Sequence, residues 1–111
     1  MNLEITGIAN INGFSNYGSL SQHSQTPATL VAQFKNKALI FEPGDRYSYS
    51  NSNYNLLAYI IEHVSGKDYG TFLKENIFDP IGMKNSGHDT GDGSQLEQSA
   101  KGYAPPLDSY L

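Results

Sequence analysis

Hydrophobic residues recur at helical spacing in three separate stretches of the chain. The first stretch follows Thr26-Pro27, where Thr26 can cap a helix and Pro27 suits the first helical position. Its apolar residues fall on one face, at Leu30, Val31, Phe34 and Ala38. This spacing predicts a helix over about residues 27–37.

The second stretch is the longest and predicts a helix over about residues 51–65, with Ser50 or Asn51 as its cap. Two adjacent apolar stripes run along it, one with Tyr54, Leu57, Ala58, Ile61 and Ser65 and one with Leu56, Ile60 and Val64. Because the combined apolar arc is wide, we expect this helix to be largely buried. Gly66 is placed to end it in a left-handed conformation.

A third helix is predicted over about residues 69–77, with Asp68 as its cap. Its residues at helical spacing are Tyr69, Phe72, Leu73, Asn76 and Ile77. Pro80 and Gly82 follow closely, and both residue types interrupt helices. We therefore expect the helix to end before Pro80.

The rest of the chain has the composition of loops. Residues 1–25 are rich in Asn, Gly and Ser, residues 39–48 contain a Pro-Gly turn, and residues 87–111 form a loop-rich tail. No stretch alternates convincingly between apolar and polar residues as a strand would. The pattern predicts a mainly α fold in which residues 1–111 form a single partial domain.

Composition excludes several classes of function. The 111 residues carry a formal net charge of −4, which argues against nucleic acid and against anionic membranes as partners. There is no cysteine, so disulfides and thiolate metal sites are excluded. The histidines, at positions 23, 63 and 88, have no metal-ligand spacing, and we expect neither a metal nor a cofactor.

One segment of about fifty residues carries several motifs at fixed spacing. They are Pro43-Gly44, Tyr49-Ser50-Asn51, Tyr54, Ser65-Gly66 and Phe78-Asp79-Pro80-Ile81-Gly82-Met83. This pattern resembles the serine β-lactamase and penicillin-binding-protein family, which includes class C β-lactamases, D-alanyl-D-alanine carboxypeptidases and esterases. The resemblance implies the helical subdomain of an α+β fold, packed beside an antiparallel sheet and lining one wall of the active-site cleft.

Weaker likeness to the same family extends towards both ends of the chain. Ile5-Thr6-Gly7-Ile8 resembles the family's His-Thr-Ser-Gly-Ile segment, with Glu4 where the histidine would lie. Gly102-Tyr103 resembles a later Gly-Tyr pair. The resemblance therefore covers most of the chain and is strongest in its middle.

The resemblance implies roles for two residues of the Tyr-Ser-Asn motif. Tyr49 would be catalytic, moving protons between the nucleophile, its lysine and the leaving group. Asn51 would bind substrate by a hydrogen bond to the substrate's amide carbonyl and would also bond the neighbouring lysine, and capping the helix is its alternative and compatible role. The alternative for Tyr49 is a structural aromatic at a helix start. A free phenol has a pKa of about 10, so proton acceptance near neutral pH needs nearby cations.

Two motifs that the chemistry requires are absent. No serine is followed three residues later by lysine, and neither Lys-Thr-Gly nor His-x-Gly occurs. We therefore expect an internal piece of a longer serine acyl-transfer hydrolase, beginning downstream of any signal peptide and inactive alone. The alternative is a non-catalytic interaction or binding module that keeps the helical subdomain.

For the parent enzyme, the resemblance implies a β-lactam or peptide-like small-molecule substrate, and β-lactam, peptidoglycan peptide, ester and amide all stay open. Family members are commonly exported, which favours an exported or cell-envelope parent but leaves the compartment open. Loss of the neighbouring sheet would expose apolar surface. We expect the isolated chain to have low stability or to self-associate.

Overall fold

The computed structural model describes residues 3–90, which form helices joined by turns. The α-helices are α1 at Tyr17–Leu20, α2 at Pro27–Phe34, α3 at Asn51–Ser65 and α4 at Tyr69–Leu73. Two 3-10 turns lie at Leu3–Ile5 and Ile11–Gly13, and a π-helical turn at Lys74–Phe78 directly follows α4.

The predicted mainly α class is confirmed, since residues 3–90 contain no strand. Most of the predicted loop-rich tail, from residue 91 onward, lies outside the described residues. Within residues 3–90, no helix is both long and apolar enough to cross a membrane.

Helix α2 begins as its sequence predicts and ends early. Thr26 and Thr29 form a reciprocal capping box, in which each side chain accepts a hydrogen bond from the other residue's backbone N–H. The helix ends at Phe34 instead of about residue 37. The reason is that the Lys37 N–H bonds the Phe34 carbonyl at 2.9 Å, three residues back, which breaks the α-helical pattern.

Helix α3 has the bounds predicted for it but not the burial. Gly66 ends it with a φ of 69°, in the left-handed region. Val64 is 81% exposed and Ile60 is 45% exposed, so the expectation of a largely buried helix is wrong for this chain. Helices α2 and α4 and the second 3-10 turn pack against α3 and leave these two side chains exposed.

The predicted helix over 69–77 changes its hydrogen-bond pattern halfway. Asp68 caps α4 by accepting a hydrogen bond from the Thr71 N–H at 2.9 Å. After Leu73 the chain widens into the π-helical turn, closed by a bond of 2.8 Å from the Asp79 N–H to the Lys74 carbonyl. The Lys74 ammonium also pairs with the Asp79 carboxylate at 2.7 Å, which holds the two ends of that turn together.

The hydrophobic core joins the N-terminal segment to the helices. Ile11, Val31 and Phe34 are its buried residues, with exposures of 1%, 7% and 5%. Partly buried Leu56 and Tyr59 of α3 pack against them. The core therefore fixes the second 3-10 turn between α2 and α3.

Residues 1–25, predicted as loop, contain both 3-10 turns and α1 in their described part. Their backbone also bonds residues 40–48: the Ile40, Gly44 and Ser48 amides donate to the Gly7, Ile5 and Glu4 carbonyls at 2.7–2.8 Å. Gly7 has a φ of +76°, and a Cβ there would lie 2.1 Å from the Phe41 carbonyl oxygen. Only glycine allows this close approach, which sets the path of the chain towards α3.

Candidate active site

The two predicted site residues meet at the start of α3. Tyr49 lies in the extended segment before the helix, and Asn51 is the first helical residue. The Tyr49 hydroxyl donates a hydrogen bond of 2.8 Å to Asn51 Oδ1. The Tyr49 side chain is 53% exposed, so its phenol is accessible on the surface of the described residues.

Asn51 is held by two other asparagines. Its side-chain NH2 donates to Asn12 Oδ1 at 2.8 Å, and its backbone N–H donates to Asn10 Oδ1 at 3.2 Å. Because the NH2 group faces Asn12, the carbonyl oxygen of Asn51 faces Tyr49. The orientation of the amide is therefore set from both sides.

The cap of α3 differs from the prediction. Ser50 occupies the position before the helix, but its side chain makes no capping bond, and Asn51 lies inside the first turn. Asn10 instead satisfies a first-turn amide from 41 residues away. Ser50 Oγ is buried and has no hydrogen-bond partner within residues 3–90.

Ser52 and Asn53 anchor the first turn of α3 to the N-terminal segment. Ser52 Oγ donates to the Ala9 carbonyl at 2.7 Å and accepts from the Ile11 N–H at 2.9 Å. Asn53 Nδ2 donates to the Leu3 carbonyl at 2.6 Å. Both side chains are at most 3% exposed.

Sequence reasoning missed the anchoring roles of Ser52, Asn53, Asn10 and Asn12. The signal available in the sequence was a pair of consecutive polar residues, Ser52 and Asn53, just inside the predicted start of a helix. This pair lies next to an Asn-rich segment without charged residues. That signal does not identify the partners.

A carboxylate and a phenol form a second polar contact beside the motif. Glu4 accepts a hydrogen bond from the Tyr47 hydroxyl, and this bond raises the pKa of Tyr47 above its ordinary 10.0. Tyr49 and Tyr54 lie near enough to Tyr47 to raise its pKa further. The charged group that contacts Tyr47 is thus negative, the opposite of what a phenol acting as a base requires.

No group of three or more His, Cys, Asp or Glu side chains could share a metal ion within residues 3–90. Two of the histidines contact aromatic rings instead. His63 stacks on Tyr59 with ring centroids 6.1 Å apart, and His88 meets Tyr69 edge-on at 5.3 Å. These contacts give the two histidines packing roles.

Comparison with known proteins identifies the family of this chain. The family model described as Beta-lactamase matches residues 9–108, and the chain belongs to that family. The fold is the helical part of the serine β-lactamase and penicillin-binding-protein fold, and this family is one of serine hydrolases.

Individual relatives match over the motif-bearing region. A penicillin-binding protein of Bacillus subtilis is 50% identical over 59 residues, which are 51% of this chain and 13% of the relative. A D-aminopeptidase of Brucella anthropi is 46% identical over 50 residues, 45% of this chain and 10% of the relative.

A solved structure resembles the described fold. The crystal structure of D-amino acid amidase from Ochrobactrum anthropi, complexed with L-phenylalanine amide, superposes with a TM-score of 0.57 and 30% identity. The match covers 74% of this chain and 23% of the amidase. The chain therefore spans at most about a quarter of the proteins compared here.

Proposed function

We propose that this chain contributes one wall of the active site of a serine acyl-transfer hydrolase. Tyr49 relays protons between the nucleophile, its lysine and the leaving group, and Asn51 donates a hydrogen bond to the substrate's amide carbonyl. The substrate is a β-lactam or a peptide-like amide or ester. The observation that carries the proposal is the 2.8 Å hydrogen bond between the Tyr49 hydroxyl and Asn51 Oδ1 in a chain of this family.

The proposal assigns the other half of the chemistry to residues outside these 111. Acylation needs a nucleophile, a base and donors for the oxyanion. This sequence has no Ser-x-x-Lys and no Lys-Thr-Gly, so the nucleophile and both lysines must come from other polypeptide. The chain alone is then inactive, and a fluorescent penicillin should not label it covalently.

The names of the relatives support amides of D-amino acids as the substrate class. One relative is a D-aminopeptidase and the structural neighbour is a D-amino acid amidase. A second group of relatives is named as penicillin-binding. A strained β-lactam amide and a D-amino acid amide present the same carbonyl to a serine nucleophile, so one site can serve both.

A chimera tests the proposed role of Tyr49. The matching 59-residue region of the Bacillus subtilis penicillin-binding protein is replaced by this chain's own residues, and acylation by a fluorescent penicillin is followed. Tyr49→Phe in the chimera should slow acylation by about 10²–10⁴-fold, the usual contribution of a general acid or base.

Tyr47→Phe is the matched control, because Tyr47 is an equally accessible tyrosine two residues away, at 63% exposure. It should leave the acylation rate nearly unchanged. Equal rates for the Tyr49→Phe and Tyr47→Phe chimeras would rule out a catalytic Tyr49.

A non-catalytic interaction module is the second candidate, favoured by the lack of a nucleophile motif in all 111 residues. The same chimera separates the two. A module that has lost catalytic function should yield a folded chimera that penicillin does not acylate, with the same null result for Tyr49→Phe.

A further inference from the structure

Asn12 is the one asparagine of the sequence that a glycine follows. An asparagine in this position loses its side-chain amide most readily, because the glycine nitrogen has no neighbouring Cβ to obstruct its attack on the asparagine Cγ. Asn12 and Gly13 are both exposed, in the second 3-10 turn. A Cβ built at Gly13 would meet nothing within 4 Å, so the space around this glycine is open.

One backbone hydrogen bond of the turn involves the attacking nitrogen. The Gly13 N–H donates to the Asn10 carbonyl at 3.0 Å, and this bond must open before the nitrogen can attack. A 3-10 turn has poorer hydrogen-bond geometry than an α-helix, and an exposed turn can open locally without unfolding of the core. The nitrogen is therefore accessible to reaction in the folded chain.

The carbonyl oxygen of the Asn12 side chain already accepts a hydrogen bond. Its donor is Asn51 Nδ2, at 2.8 Å. When the Gly13 nitrogen attacks Asn12 Cγ, negative charge develops on this same oxygen, and a donor already in place stabilises that charge. The contact that orients Asn51 thus also favours loss of the Asn12 amide.

We propose that Asn12 is a site of spontaneous deamidation, which gives the chain a carboxylate bonded to the amide of Asn51. The Gly13 nitrogen gives its proton to hydroxide and forms a bond to Asn12 Cγ. The bond from Cγ to the side-chain nitrogen breaks, and the NH2 group takes a proton from water and leaves as ammonia. Water then opens the cyclic imide at one of its two carbonyls, which gives aspartate or iso-aspartate.

The two products differ in their effect on the fold. Aspartate at position 12 keeps an acceptor for the Asn51 NH2 group, and the bond becomes charge-assisted and stronger. Iso-aspartate carries the main chain through the former side chain and lengthens the turn by one carbon, next to the buried core residue Ile11. Both products add one negative charge to the formal net charge of −4.

The modification needs no other polypeptide and does not depend on the proposed function. In an enzyme that uses Tyr49 as a proton relay, the new charge would lie two hydrogen bonds from the phenol, through Asn51. Negative charge there opposes loss of the phenol proton, which a relay requires. We therefore expect deamidation to lower such an activity as the protein ages.

Incubation of the 111-residue chain at mildly alkaline pH, followed by peptide mass spectrometry, tests the site. Asn12 should deamidate at least about tenfold faster than Asn85, which is also exposed but is followed by Ser86. Dispersed amide spectra recorded before incubation establish that the chain is folded.

Gly13→Ala is the variant that tests the mechanism, because its methyl group obstructs the attacking nitrogen. It should slow deamidation of Asn12 at least about tenfold. The fold should be retained, since the added Cβ meets nothing within 4 Å and Gly13 has no positive φ. Gly18→Ala is the matched control, because its Cβ also meets nothing within 4 Å and Gly18 follows Tyr17, and it should keep the wild-type rate.

The side-chain amide of Asn51 reports the structural consequence. In 15N spectra of the incubated chain, the aspartate product should give the Asn51 NH2 signal that an Asn12→Asp variant gives. Deamidation of Asn12 no faster than that of Asn85, an unchanged rate in Gly13→Ala, or an Asn51 signal that does not move would each overturn the inference. The comparison of Asn12 with Asn85 stands even if Gly13→Ala does not fold, and the acylation test of Tyr49→Phe is independent of all these outcomes.

Discussion

Gly7 is a single residue on which the path of the N-terminal segment depends. Its φ of +76° is unfavourable for any residue with a Cβ, and the added Cβ would lie 2.1 Å from the Phe41 carbonyl oxygen. Gly7→Ala should therefore lower the free energy of unfolding by about 3 kcal/mol or more, combining conformational strain with a backbone clash. Urea unfolding followed by circular dichroism measures this loss.

Gly66→Ala is the control for Gly7→Ala. Gly66 also has a positive φ, of +69°, but a Cβ there meets nothing within 4 Å. Its cost should be conformational only, about 1–2 kcal/mol. Equal losses for the two variants would show that the Phe41 carbonyl moves aside without cost.

The Glu4–Tyr47 contact makes stability depend on alkaline pH. The contact raises the pKa of Tyr47 above 10.0, so the folded chain holds this proton more tightly than the unfolded chain. The associated stability is fully present below about pH 10 and is lost as pH rises through the folded-state pKa. Glu4→Gln removes the charge, so the pKa of Tyr47 should fall towards 10.0.

Carbon-13 NMR of the Tyr47 ring carbon that bears the hydroxyl follows this titration directly. Glu62→Gln is the matched control, because Glu62 lies on α3 and bonds the Tyr69 N–H at 3.0 Å instead. A Tyr47 titration midpoint that does not move in Glu4→Gln would contradict the hydrogen bond.

At the scale of elements, the first turn of α3 depends on buried polar groups from a distant segment. Ser52→Ala removes the hydroxyl that bonds the Ile11 N–H and the Ala9 carbonyl, and leaves these two backbone groups without a side-chain partner at a buried position. The free energy of unfolding should fall by about 1–3 kcal/mol, the cost of unsatisfied buried groups. Urea unfolding of the variant beside the parent chain checks this value.

Ser15→Ala provides the comparison for Ser52→Ala, because Ser15 is exposed. Its effect should stay within about 0.5 kcal/mol. If Ser52→Ala were as mild as Ser15→Ala, water would have to replace the lost hydroxyl at the Ile11 amide.

Local patterns predicted the elements whose determinants are local. Helix α3 follows from apolar spacing and from Gly66, and the start of α2 follows from Thr26-Pro27. The structure of residues 3–25 could not be predicted this way, because its bonds reach α3 about 40 residues away, as Asn10 and Ser52 show. Tyr49 and Asn51 came from family resemblance, whereas the asparagines that orient Asn51 have no local signature.

At the scale of the whole molecule, the described residues leave apolar side chains in water on α3 and after α4. Val64 is 81% exposed, Ile81 is 65% exposed and Tyr54 is 53% exposed. Large exposed apolar surface on a soluble domain marks a contact site for other polypeptide. In the family fold, a neighbouring sheet is the expected partner for such a surface.

We expect this exposed surface to make the isolated chain self-associate, with a sedimentation coefficient that rises with concentration. The double variant Val64→Lys and Ile81→Lys should shift the chain towards monomer, since two exposed cations oppose apolar contact. Lysine near the end of α3 also suits the helix dipole, so folding should be retained. Ala28→Lys, at an exposed position on α2, should leave association unchanged. A chain that sediments as a monomer at every concentration and melts cooperatively at high temperature would show that residues 1–111 need no partner for this surface.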